Sequence, residues 1–353
     1  MSRLLECCLL LNWYLNIIEN LSVIFIIPRT RGKLCLTTIP YSAGKAAASS
    51  HHWKGTSIAP YWQSHITVFI MSSIEIKSAS GHSLDELALI FNGAFAGYPG
   101  RIPQHTAESL QNRITTSFID LHVSRIIYVG GTPCGLALIA RRGFQARLVN
   151  MGIATEARGK GVATTALETI VEEARTRCDT SLELEVLEDN VAAAKLYRRV
   201  GFKTVRRLTG WECERPLPLS DVDEGHELDI IPVEEVVQLL SQHGATDLPW
   251  QIASFSLREL TEPAWIGVRL EAAYAIISNP DNDVVCHKSL FVLSEHRRKG
   301  QATGLLNALF KKYPGKTWAA PFAPADYGEG LARKFGFKER ADSPGQFQMQ
   351  LKF

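Results

Sequence analysis

The sequence predicts a layered α/β fold (α+β in its layering) built twice, and three observations predict it. A strand, a glycine-bearing turn and an amphipathic helix occur together in GIATEARGKGVATTALETIVEEA, residues 152–174, and again in FVLSEHRRKGQATGLLNALFKKY, residues 291–313. Further on, LYRRVGF (196–202) recurs as LARKFGF (331–337). Arg158 corresponds to Arg297 at an offset of 139 (297 − 158), and Phe202 to Phe337 at an offset of 135 (337 − 202). Two motifs repeating in order at nearly one spacing indicate a domain-sized duplication rather than a solenoid. Between the copies, ERPLPLSDVDEGHELDIIP combines three prolines with five acidic residues from Asp221 to Asp229, which reads as a solvated linker. The expected division is an extension over 1–70, a first domain over 71–213, a linker over 214–227 and a second domain over 228–353.

In the first domain, Ile74–Lys77 reads as a strand. Ser83-Leu-Asp-Glu86 is a capping box, opening a helix with Leu84, Leu87, Ala88, Phe91 and Phe95 on one face. A second helix is expected over Ala107–Ser117. Strands follow at Arg125–Val129, Gly135–Ala140 and Arg147–Ile153, the first two joined across the hairpin signal Gly130-Gly131. The glycine turn leads into a helix burying Val162, Ala166, Leu167, Ile170 and Ala174. Leu182–Val186 is the next strand, Asn190–Val200 the next helix, and Phe202 begins a closing strand. The second domain repeats this order: helix Val233–Gln242, strands near Trp265–Leu270, Ala273–Ser278 and Lys288–Leu293, and a helix from Gly300. A strand at Lys316–Ala320, a helix near Gly328–Phe335 and a strand at Gln346–Lys352 complete it.

A length of 353 residues exceeds one ordinary core. Hydrophobic residues at 46% and charged residues at 21% match a globular chain, and a formal charge of +2 offers nothing to a nucleic acid. The seven cysteines are scattered, odd in number and free of any CxxC pair, so neither a disulfide framework nor a zinc site is indicated, and no metal is expected. A reducing, cytoplasmic location fits. Leu4–Ile27 is apolar but interrupted by Glu6 and Glu19. Each charge at mid-bilayer would cost roughly 3 kcal/mol, which argues against a membrane span. The stretch also lacks the pattern of a signal peptide. Residues 1–70 are therefore expected to lie outside the fold, with the working chain starting at Met71.

The turn Arg158–Thr164 suits a pyrophosphate. The first turn of a helix leaves backbone N–H groups unpaired at the positive end of the dipole. Gly159 and Gly161 permit close approach, and Arg158 and Lys160 add charge. By itself RGKG is equally a surface turn. It is neither GxGxxG nor a Walker loop.

With its context the reading sharpens. Arg158-x-x-Gly161-x-Ala163 resembles the coenzyme A pyrophosphate signature of the GNAT superfamily, and EVLEDNVAAAKLYRRVGF (185–202) resembles that superfamily's second hallmark. The resemblance implies a tandem GNAT protein, each half a mixed, splayed central sheet flanked by helices, that uses acetyl-CoA as co-substrate. The sheet would open beside the strand ending at Ile153. Met151, Gly152 and Ile153 would pair with the pantetheine, and the backbone from Arg158 through Gly159, Lys160, Gly161, Val162, Ala163 and Thr164 would hold the pyrophosphate. Asn190 would contact the coenzyme and Tyr197 would stand near its sulfur.

Asn190 and Tyr197 are seven apart and so share one helix face. In isolation the structural reading is favoured, with Asn190 simply an N-cap and Tyr197 a half-buried core aromatic. A departing thiolate with a pKa near 8.5 is within reach of a tyrosine at about 10, which makes Tyr197 the candidate general acid. Glu185 lies twelve residues before Tyr197, a spacing that resembles the base-and-acid pair of ribosomal-protein alanine acetyltransferases. A paired structural carboxylate is an equal reading of Glu185, and Glu183 is a weaker candidate. A main-chain N–H near Ile153 would stabilise the tetrahedral oxyanion.

The second copy keeps Arg297, Gly300 and Ala302, but Ala325 and Ala332 stand where the first has Asn190 and Tyr197. It reads as a degenerate, non-catalytic GNAT-like half. Tyr327 is two residues after Ala325, about 200° off that face if the segment is helical. The leading expectation is N-acetyl transfer to a primary amine of a small molecule or peptide, with Phe95–His105 (Tyr98, Pro99, Arg101, Pro103) as the acceptor loop. A non-catalytic acyl-CoA-binding sensor or scaffold, or catalysis in the second half, are the alternatives. No nucleic-acid or membrane partner is expected, and a homodimer is left open.

Overall fold

The computed structural model describes residues 24–28, 34–38, 73–98, 104–219, 227–340 and 345–353. The expected extension lies outside the described residues except for β1 (Ile24–Pro28) and β2 (Leu34–Thr38), which pair antiparallel. The chain divides into two compact units. One holds these strands, residues up to Glu75, and Tyr128–Pro133; the other holds Ile76–Ile127 and Cys134–Phe353. All that follows concerns the larger unit, apart from the residues of β3, β4 and β5 that fall before Ile76 or in Tyr128–Pro133.

Its first half runs from β3 (Ile74–Ser78) through α1 (Leu84–Ala94), α2 (Ala107–Thr116) and β4 (Arg125–Val129). Then come β5 (Thr132–Arg142), β6 (Gln145–Ile153), α3 (Val162–Thr176), β7 (Ser181–Leu187), α4 (Val191–Val200) and β8 (Lys203–Glu214). The second half comprises β9 (Asp229–Ile231), α5 (Val233–His243), α6 (Ser254–Leu257), β10 (Trp265–Leu270), β11 (Ala273–Ser278) and β12 (Val284–Val292). It ends with α7 (Gln301–Lys312), β13 (Thr317–Pro324), α8 (Glu329–Lys334), β14 (Lys338–Glu339) and β15 (Gln346–Lys352).

Local signals explain the element ends. Ser83 accepts from the Glu86 N–H while Glu86 returns a bond to the Ser83 N–H, the expected capping box of α1. Thr106 caps α2 in the same way with Ser109. Gly201, at φ +112°, closes α4 in the left-handed conformation. The 3.6-residue pattern of α3 buries Val162, Ala166, Leu167, Ile170, Val171 and Ala174. Of these, Leu167, Ile170 and Val171 cluster with Leu182, Leu184 and Val186, which alternate with the half-buried Glu183 and Glu185 along β7. Phe310, Trp318, Phe335 and Phe337 build the corresponding core of the second half.

The two halves share one continuous sheet in the order β5-β6-β7-β15-β8-β13-β12-β11-β10-β9, with β14 also on β8. β15, the last strand of the chain, pairs antiparallel with β7 (Met349↔Leu184) and with the first part of β8 (Gln348↔Arg206). The second part of β8 lies between β13 (Ala319↔Glu212) and β14 (Lys338↔Glu212). Each half thus has its penultimate sheet position filled by a strand of the other. Part of the segment between the halves is anchored, since the Leu219 N–H donates to Asn307 Oδ1 at 2.5 Å. Residues 220–226, the most acidic stretch of the expected linker, lie outside the described residues.

Candidate active site

The sheet opens where the pairing of β6 with β7 ends. The two strands are parallel and paired only over Gln145–Leu148 against Ser181–Leu184. β7 stays paired with β15 along its other edge throughout, but beyond Leu148 it parts from β6, and Val149–Ile153 keeps a ladder to β5 on one side only. Val149 sits in a β-bulge between Leu148↔Ile139 and Asn150↔Leu138, a device that bends a strand and re-aims its side chains. Met151, Gly152 and Ile153 therefore present an edge with no strand on the β7 side. At Gly152 a Cβ would stand 2.9 Å from the Phe95 ring, so this edge and the end of α1 approach closely only because glycine is there.

From Ile153 the chain enters a 3₁₀ turn (Thr155–Ala157), then Arg158 extended, then Gly159 at φ +75° and Gly161 at φ +80°. Both glycines adopt the left-handed conformation, with open space around the missing Cβ. Gly161 is the N-cap of α3, and its carbonyl takes the N–H groups of Thr164 and Thr165. The N–H groups of Gly159, Lys160, Gly161, Val162 and Ala163 have no acceptor among the described residues. Lys160 is exposed, while the Thr164 hydroxyl is held by Arg199.

The charge expected from Arg158 is spent elsewhere. Its guanidinium turns back from the loop, donating through Nε to the Ile153 carbonyl at 2.7 Å and through Nη2 to the carbonyls of Ala94 and Ala96. Ala94 ends α1, where carbonyls lack helical partners and favour a cation. Arg158 is thus a brace tying the loop to the scaffold. Arg297 repeats the arrangement, donating to Val292 and to His243 at the end of α5. The second turn also keeps the backbone: Arg298 at φ +62° and Gly300 at φ +83° match Gly159 and Gly161.

Asn190 caps α4, its Oδ1 accepting from the Ala193 N–H, and its Nδ2 donates to the Tyr98 hydroxyl at 3.2 Å. Tyr197 is buried in the cluster that contains Leu148, Leu184 and Val186 and against which Met151 packs, so it stands beside the point where the strands part. Its ring meets Phe202 edge-on. Burial, with a lesser contribution from Tyr98, pushes its hydroxyl well above the ordinary tyrosine range. Of the expected acceptor loop, Tyr98 and His105 are described. Residues 99–103, with Pro99, Arg101 and Pro103, lie outside the described residues.

Glu185 is ion-paired. Arg147 donates to its Oε2 from Nε (2.9 Å) and Nη2 (2.7 Å), leaving Oε1 buried without a partner. Arg147 reaches on to Gln251, and Arg113 of α2 makes two bonds to Asn150 Oδ1. Glu183 accepts from Gln350 and Gln348 on β15, and burial raises its pKa. Sequence reasoning missed Arg147, Gln251, Gln348 and Gln350. No motif marks them, and the two glutamines reach Glu183 only because β15 is inserted beside β7.

In the second half, α8 starts only at Glu329, capped by Gly328. Ala325 and Tyr327 precede the helix, so the helical angle expected for Tyr327 does not apply. Tyr327 instead lines a cavity between β12 and β13.

Among the described residues, no helix is long and apolar enough to cross a membrane, and no cluster of three or more His, Cys, Asp or Glu side chains is arranged for a metal.

The profile of the acetyltransferase (GNAT) family matches residues 90–202. No curated protein sequence is similar to the chain. Among solved structures, a GCN5-related N-acetyltransferase from Sphaerobacter thermophilus superposes with TM-score 0.58 at 14% identity, covering 79% of this chain and 95% of that one. A tandem GNAT protein of the clavulanic acid pathway gives 0.56 at 15% identity, covering 79% and 98%. A GCN5-related N-acetyltransferase from Anabaena variabilis gives 0.56 at 16%, covering 79% and 72%. An opened sheet, a left-handed glycine turn and the helix bearing Asn190 and Tyr197 fall within or against the matched segment, so residues 90–202 form a GNAT-family domain and the chain has the fold of the GNAT structures it resembles, a tandem one among them.

Proposed function

We propose that the first half is an acyl-CoA-dependent N-acyltransferase that passes an acetyl group directly to a primary amine of a small molecule or peptide. One observation carries the reading. The unpaired edge Met151–Ile153 runs into a turn with five uncommitted N–H groups, and Tyr197 is buried in the cluster that holds Leu148 and Leu184, the last paired residues of β6 and β7.

The residues fit an extended amide chain ending in a pyrophosphate. The edge offers backbone pairing to the chain, and the turn offers N–H groups and a helix dipole to the phosphates. Acyl-CoA, when bound, supplies the activated thioester. Glu185 Oε1, the carboxylate oxygen that Arg147 leaves without a partner, orients the attacking amine and receives its proton. A main-chain N–H near Ile153 stabilises the oxyanion. Tyr197 protonates the leaving sulfur. Its raised pKa is no obstacle, since a thiolate in the same desolvated slot is raised by the same cause. The second half, with Ala325 and Ala332 in the hallmark positions, acts as a support.

The test incubates the full chain with acetyl-CoA and a panel of primary amines, following thiol release. Turnover with at least one amine, lost in Tyr197→Phe with coenzyme binding retained, is expected. Coenzyme binding without thiol release from any amine would replace the transferase reading with the sensor reading.

A further inference from the structure

The second half opens as the first does: β12 and β13 pair in parallel only over Val284–Cys286 against Thr317–Ala319. The β12 ladder to β11 is bulged at the equivalent place, with Ile277 opposite His287 and Ile276 opposite Ser289, so Lys288 is the extra residue. Val149 is the bulge residue of the first half. Two openings of one design therefore carry different chemistry at the same point.

The second opening contains a cavity of about 270 Å³, far above the roughly 10–15 Å³ that holds one water. Leu240, Phe291, Leu306, Leu331 and Phe337 supply an apolar wall. His287, Lys288 and Ser289 supply a polar one, because the bulge breaks the alternation that would send Lys288 to the other face. That polar wall is unsatisfied. His287 Nδ1 and Ser289 Oγ are buried with no hydrogen-bond partner among the described residues. No ion pair to Lys288 is formed among the described residues; the charged or titratable groups that act on it are the Cys286 thiol and the Arg147 guanidinium, a second cation that disfavours its charge. Buried polar groups are ordinarily paired, and a buried cation is costly unless an anion meets it. Asp326 and Tyr327 also line the cavity, but both are exposed and solvated at its rim.

We infer that this cavity is a binding site for an apolar monocarboxylic acid, the carboxylate meeting Lys288, Ser289 and His287 and the hydrocarbon body filling the space walled by Leu240, Phe291, Leu306, Leu331 and Phe337. The cavity lies in the opening of the second half and not in the transferase centre proposed for the first, although Arg147 of that centre is within electrostatic reach of Lys288. An acid satisfies all three groups at once: its charge pairs with the ammonium and its oxygens take the hydroxyl and imidazole hydrogens. A neutral amide of the same body fills the space without supplying the charge.

The experiment titrates the full chain with octanoate and with octanamide by calorimetry, in wild type, Lys288→Met and Ser289→Ala. Octanoate is expected to bind at least tenfold more tightly than octanamide. Lys288→Met should abolish that preference, and Ser289→Ala should weaken octanoate severalfold. Without ligand, Lys288→Met should melt at a temperature no lower than wild type, because a half-buried cation with no ion-pair partner is removed, which also reports that the variant folds. Absence of octanoate binding to wild type, equal affinity for acid and amide, or undiminished octanoate binding in a folded Lys288→Met protein would each overturn the proposal. Thiol release by the first half is read in parallel, so loss of one activity is distinguishable from loss of the other.

Discussion

Arg147 holds Glu185 through a single carboxylate oxygen, two of its nitrogens converging on Oε2 while Oε1 stays buried and bare. The side chains are 13% and 6% exposed, so water does little to screen the pair. Arg147→Met is expected to lower stability by about 3–5 kcal/mol, the cost of an uncompensated buried charge. Arg147→Met with Glu185→Gln should recover most of it in urea unfolding. A loss in the single variant below about 1 kcal/mol would show that the pair is screened after all.

Two glycines of the site should fail for different reasons. Gly161→Ala meets no atom within 4 Å but must hold φ +80°, at a cost of about 1 kcal/mol. Gly152→Ala keeps an ordinary backbone but drives a methyl into the Phe95 ring, at about 1–3 kcal/mol. Adding Phe95→Leu should rescue the second and leave the first unchanged. Equal rescue of both in thermal melts would contradict this division.

Tyr197 is raised above its unfolded value, so its stabilising contribution is complete below the unfolded pKa near 10 and is lost as pH rises through the folded pKa. Tyr197→Phe should remove one proton from the alkaline fall in stability, about 1.4 kcal/mol per pH unit above 10. At neutral pH the same variant should cut turnover by roughly 10²–10⁴. A parallel alkaline slope in wild type and variant would mean that the phenol is solvated in the folded protein.

His287 titrates the other way. Burial lowers its pKa to about 4 from 6.5, so the neutral ring stabilises the fold above pH 6.5 and that stability is lost as pH falls towards 4. His287→Leu should flatten the stability profile across this window. An unchanged profile would place the ring in water.

The exchanged strands predict a dependence across the whole chain. Removing residues 346–353 strips the partner from both β7 and β8, and acetyl-CoA binding by the first half should disappear. Residues 71–219 expressed alone should not fold, and co-expression with 227–353 should restore a complex. Folding of the isolated first segment with full coenzyme binding would refute this coupling.

Much of this protein was legible in the residues themselves, because local chemistry decides local shape. The Ser83–Glu86 capping box sets where α1 starts, the glycines at 159 and 161 permit the left-handed turn, and alternation along β7 separates Leu182 and Leu184 from Glu183 and Glu185. The duplication was visible because its two motifs are short and contiguous. Other features depend on partners distant in sequence, and only the tertiary structure decided them. Arg158 reads as a phosphate ligand until the carbonyls of Ala94 and Ala96, more than sixty positions earlier, are seen to claim it. Glu185 reads equally as a base or as a paired structural carboxylate until β6 brings Arg147 beside it. Nothing in Gln346–Lys352 announces that the strand belongs between β7 and β8, because a half-buried strand pairs with whichever edge the topology presents. The sequence by itself determined the elements, the turn and the family resemblance. The exchanged sheet, the bracing arginines and the cavity beside Lys288 arise from contacts that the chain makes only once folded.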